Sequence, residues 1–96
     1  MTAADVWVAR DDGSDLVRAA AIAAVGRDYN GNITARLVSG ELAVVTLVTT
    51  HGPQPPDDFH RQLAQIITRL ADTAEPTVIQ PVHSELHGWS WHTGPL

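Results

Sequence analysis

The most regular pattern in the chain lies between two proline-bearing stretches. Phe59, Leu63, Ile66, Ile67, Leu70 and Ala74 recur at spacings of three and four, with Arg61, Gln65, Thr68, Arg69 and Asp72 filling the other side. That is the periodicity of an amphipathic helix with a single apolar stripe. Asp57 or Asp58 begins it, with acids where the helix N-terminus is electropositive. Glu75-Pro76 ends it, because the residue before a proline is pushed out of the helical region. The pattern predicts a helix over about 57–74.

The rest of the chain reads as short strands and turns. Residues 6–10 alternate and are rich in strand formers, and Asp11-Asp12-Gly13-Ser14 then supplies turn chemistry. Residues 16–25 have two readings. Their alanines favour a helix, which Asp15 could cap and Gly26 could end. The segment is apolar nearly all round, however, which favours two strands (16–18 and 22–29) joined by a tight turn through the alanines. Asn30-Gly31 then suits a type I′ hairpin turn into the strand at 33–38. Ser39-Gly40-Glu41 makes the next turn. Residues 42–50 form a long β-branched and apolar run, expected to be a central strand covered on both sides or one reaching into an interface. The segment 51–56 carries three prolines and reads as a stiff connector. Residues 77–80 read as a strand that Pro81 either ends or confines to an edge. Residues 83–96 form a C-terminal tail or one more short strand.

This order predicts a single α+β domain over 1–96. Its architecture is an antiparallel β-meander of four to six strands with the helix packed on one face. Over residues 6–70 the succession of strand, DDGS turn, apolar stretch, YNGNITARLVSGE, β-run and helix resembles small bacterial β-meander-plus-helix modules, including PH-like barrels and small flagellar regulatory proteins. The resemblance is one of pattern, and it implies a fold and no site residue.

Composition narrows the function classes. A chain of 96 residues buries about 60–65% of its unfolded surface, so its core is thin and dimerisation is a cheap way to cover exposed strand surface. Eleven acids against six bases give a net charge of -5, which argues against nucleic acid, whose binders need a basic face. All six bases are arginine, and alanine and valine abound, a usage typical of high-GC, actinobacterial-like genomes. There is no cysteine, so disulfides, thiolate catalysis and cysteine-based zinc sites are excluded. No basic and apolar leader opens the chain, and no run approaches the ~18 apolar residues of a spanning helix. The expected location is cytoplasmic, without membrane contact. Asn32-Ile33-Thr34 matches a glycosylation sequon by chance in that setting.

Candidate chemistry is concentrated at the C-terminus. His83, His87 and His92 lie within ten residues, with Glu85 among them. Imidazole and carboxylate ligands suit a divalent metal such as Zn²⁺ or Ni²⁺. His-Ser-Glu-Leu-His is not the helical His-Glu-x-x-His signature, and Gly88 opposes a helix, so a polar C-terminal segment accounts for the same residues. His51 and His60 stand alone. Asp11, Asp12 and Asp15 fail the calcium-loop pattern, because position twelve counted from Asp11 is Ile22. No nucleophile elbow, phosphate loop or dinucleotide fingerprint occurs, and Ser14, Ser39, Ser84 and Ser90 have no base beside them. Trp89 and Trp91 are two apart, so in an extended chain their rings point the same way. They are expected to pack on their own domain, with Trp7 as a candidate neighbour, or to anchor an interface. The function these features point to is a non-enzymatic protein-interaction module that self-associates as a homodimer. The alternative is a small-ligand or metal-binding protein, or a minor enzyme, working through the C-terminal histidines.

Overall fold

The computed structural model describes residues 5–38, 44–49, 54–72 and 75–96. β1 (Val6–Ala9) and β2 (Leu16–Arg18) form an antiparallel hairpin. Its turn is held by Gly13 at φ 74° and by Asp12, whose Oδ1 accepts the Ser14 N–H at 2.9 Å. The Ser14 side chain first, and then that backbone bond, hold the Asp12 carboxyl below its usual range. The alanine segment takes the strand–turn–strand form. One 3₁₀ turn (Ala19–Ala21) joins β2 to β3 (Ile22–Arg27), since an apolar stretch without a stripe has no buried face to hold a longer helix.

β3, β4 (Ile33–Leu37) and β5 (Val44–Val48) make an antiparallel three-stranded sheet in that order. The β3–β4 turn is not type I′. Among the described residues only glycines have positive φ, so Asn30 does not. Gly31 at φ 83° takes the left-handed position alone, and its N–H donates to the Asp28 carbonyl at 3.0 Å. Asp28 organises the loop: its carboxylate accepts the backbone N–H of Asn30 and Asn32 and the Asn32 side-chain amide, at 2.9, 3.0 and 3.0 Å. Desolvation works against its ionised form, but these bonds together outweigh it and hold the carboxyl below its usual range.

β5 is not the central strand its apolar run suggested; it is an edge of this sheet. The register slips between Ile33↔Val48 and Thr34↔Thr46, so Leu47 is an extra residue against β4. The bulge lets Leu47 and Val48, neighbours in sequence, both reach the core. Residues 42, 43 and 50 of the expected strand lie outside the described residues.

The one α-helix among the described residues, α1 (Phe59–Leu70), packs against β3, β4 and β7. Its stripe falls as expected: Phe59 and Leu63 are buried, Ile66, Ile67 and Leu70 are half-buried, and Arg61, Gln65, Thr68, Arg69 and Asp72 are exposed. Ala74 lies outside the described residues. Asp58 occupies the N-cap without capping; its carboxylate accepts from Gln62 at 3.1 Å instead, while Asp57 pairs with Arg27 at 2.8 Å.

The fold is α+β, with seven strands in two sheets and one α-helix among the described residues. The second sheet has the order β2-β1-β6-β7, where β6 is Thr77–Ser84 and β7 is Gly88–Pro95. β6 returns beside β1 in parallel and β7 folds back antiparallel, so the meander is split by a crossover. Val8 and Ile79 from this sheet meet Ile33, Leu47 and Val48 from the other, together with Phe59 and Leu63, in one core. Asp11 ties the two sheets. Its N–H donates to the Leu47 carbonyl at 2.8 Å, and its carboxylate accepts the Thr49 N–H at 2.9 Å.

Candidate interaction edge

The C-terminal segment that carried most of the predicted chemistry is a long hairpin, β6 and β7, paired from Thr77↔Pro95 to Ser84↔Gly88. Its backbone directions follow from two bonds. The Thr77 N–H donates to the Asp5 carbonyl at 2.9 Å, so odd-numbered backbone groups of β6 point to the β1 side and even ones to β7. The Leu96 N–H donates to the Pro76 carbonyl at 3.3 Å, which agrees. Pro81 therefore has its missing N–H on the β1 side, past the last parallel pair, Val8↔Ile79. This explains how β6 runs on to Ser84 through a proline: locally it is an edge. In β7 the even residues bond to β6, and the odd residues Trp91 and Thr93 turn their N–H and C=O to the open side of the sheet. Among the described residues no hydrogen bond reaches those four groups.

Side chains alternate across the same strands. Trp89, Trp91 and Thr93 share a face with the buried Ile79 and Pro81, and Ser90 and His92 occupy the other. Trp91 stacks on Phe59, with centroids 4.5 Å apart and planes 15° from parallel, and its Nε1–H donates to the Phe59 carbonyl at 2.8 Å. Trp89 lies 6.1 Å from Phe59 and 5.1 Å from the His83 ring. Both tryptophans are half-buried. They pack on the first turn of α1, as expected of rings facing their own domain, but not against Trp7. Trp7 pairs with Val78, which pairs with Gly94, so it lies on the opposite face of the sheet, with Arg18 4.9 Å from its ring.

The histidines are not brought together. His83 sits on the tryptophan face, His92 on the other, bonded to Ser90 Oγ at 2.9 Å, and His87 in the turn between the strands. A nine-residue separation along a two-residue repeat, folded back across one hairpin, puts His83 and His92 on opposite sides. Among the described residues no three His, Cys, Asp or Glu side chains are placed to hold a metal ion. A recess of about 340 Å³ beside the Asp5–Arg18 pair (3.8 Å) is lined by Val6, Ala19, Ile67 and Ala71. Among the described residues its only ionisable groups are that half-exposed ion pair.

What the sequence reading did not identify is the state of the four sheet edges among the described residues. Exposed edges are usually blunted by charge, bulges, short length or cover. β2 is three residues long and carries Arg18. β3 has a bulge at Ala23 and carries Arg27. β5 has its bulge and is covered by Asp11, which takes the Leu47 carbonyl and the Thr49 N–H. β7 is eight residues long and regular in register. In a chain of net charge -5, neither β6 nor β7 contains an Asp, Glu, Lys or Arg. Only Pro95 at its end interrupts it.

Comparison with protein families, curated proteins and solved structures finds no match to this chain. No helix among the described residues is long and apolar enough to cross a membrane.

Proposed function

We propose that this protein is a non-enzymatic interaction module that self-associates, and that the C-terminal hairpin is its contact surface. The observation that carries the reading is the unblunted β7 edge: the other three edges are shortened, bulged, charged or covered, and this one is not. Two half-buried tryptophans beside that edge add the large aromatic surface that interface hot spots favour. A protein partner other than a second copy would use the same edge. Light scattering coupled to size exclusion at tens of micromolar tests the reading. A dimer is expected, and a strict monomer overturns it. Titration with Zn²⁺ and Ni²⁺ separates it from a metal-binding role through the C-terminal histidines. Binding abolished by His83→Ala with His87→Ala would favour that role; no binding, or binding that survives both changes, is the expected result.

A further inference from the structure

We infer that the self-association proposed above, on which this rests, occurs by antiparallel pairing of β7 with β7 of a second copy, joining two four-stranded sheets into one of eight strands. The backbone directions set the geometry. Only odd residues of β7 face the open edge, so the new ladder bonds odd residues to odd residues. A two-fold axis at His92 sets Trp91 opposite Thr93 of the second copy, and Thr93 opposite Trp91. Each pair exchanges two bonds, so the four groups left open on one copy are met by the same four on the other. Pro95 has no N–H to give, and it falls at the end of this register rather than in its centre.

A second copy fits this edge better than a charged partner does. The chain carries a net charge of -5, so two copies repel wherever acids meet. The β6–β7 hairpin strands, without Asp or Glu, are the place where a second copy approaches with least repulsion. An isologous contact also covers both copies' β7 edges at once, leaving only the blunted edges β2, β3 and β5. On the outer face this register brings His92 beside His92 of the second copy as a non-hydrogen-bonded pair, the closest spacing an antiparallel ladder provides, about 4.5 Å between Cα atoms.

That spacing supplies the test. The chain has no cysteine, so His92→Cys introduces a single thiol at the two-fold axis, with a Cα separation within the disulfide range. Mild oxidation of the folded variant is expected to give a covalent dimer. Gln80→Cys, on the same face but on β6, is expected to give little. In parallel, Thr93→Pro deletes an outward N–H that β6 does not use, and Thr93→Lys adds an edge charge. Each is expected to weaken dimerisation at least tenfold by sedimentation while leaving the circular dichroism spectrum unchanged. Should Thr93→Pro disturb the strand, Thr93→Lys and the crosslink still decide. A wild-type dimer that neither crosslinks through His92→Cys nor weakens with Thr93→Lys overturns the β7 pairing and leaves self-association standing. A wild-type monomer overturns both.

Discussion

Replacing Trp91 with Phe isolates one bond of the hairpin–helix contact. The phenyl ring keeps the stack on Phe59, while the indole N–H that donates to the Phe59 carbonyl at 2.8 Å is lost. A neutral hydrogen bond of this kind contributes about 0.5–1.5 kcal/mol net. The loss falls near the middle of that range, because the Phe59 carbonyl is the first of α1 and still accepts from the amide four residues on. Adding the buried part of the lost ring, Trp91→Phe is expected to cost about 1–2 kcal/mol. Trp91→Ala also removes the stack, worth about 0.5–1.5 kcal/mol, and is expected to cost about 2–3. That is less than the ~3–5 kcal/mol of a fully buried aromatic, because Trp91 is half-buried. Trp7→Phe is the control. Its Nε1 is buried without a hydrogen-bond partner among the described residues, an arrangement that costs about 1–3 kcal/mol, so removing the donor offsets the lost ring area. It is expected to be neutral within ~0.5 kcal/mol or stabilising. Urea unfolding followed by far-ultraviolet circular dichroism, with a common slope, reads all three without relying on tryptophan emission. Equal costs for Trp91→Phe and Trp7→Phe would refute the assignment of the Trp91 bond as a tie between hairpin and helix.

Leu63 has no exposed surface, so Leu63→Ala is expected to cost about 2–5 kcal/mol, while the exposed Arg61→Ala and Gln65→Ala stay within ~0.5 kcal/mol; chemical denaturation distinguishes them. Gly31→Ala combines a positive φ with a Cβ 3.0 Å from the Gln54 side chain, whereas Gly13→Ala meets open space, so Gly31→Ala should lower the melting temperature more. The folded state holds the Asp28 carboxyl below its usual range, so its contribution to stability is present above the unfolded aspartate range, about pH 3.9, and is lost as pH falls through the lower folded value. Asp28→Asn should therefore lower the melting temperature at pH 7 and lose that difference as the solution is acidified toward pH 2; a difference independent of pH would refute the role of the charge.

The helix was legible in the sequence because its signal is local. A stripe at spacings of three and four, bounded by acids and a proline, needs no partner to be read, and the buried and exposed residues fall where the stripe puts them. The strand–turn–strand form of residues 16–27 was legible for the converse reason, the lack of a stripe. The shared direction of Trp89 and Trp91 followed from a two-residue repeat alone. What only the tertiary structure decided depends on pairing. The Leu47 bulge makes an edge strand look like a central one, because two adjacent residues reach the core where strict alternation allows one. The parallel return of β6 to β1 depends on contacts about 70 residues apart in the chain, which no periodicity encodes. The three histidines are close in sequence, yet a hairpin alternates its side chains and so sends His83 and His92 to opposite faces. The open edge of β7 is the extreme case. Its side chains are visible in the sequence, but which backbone groups face outward is set by the hydrogen bonds of the neighbouring strands, and those exist only once the sheet has formed.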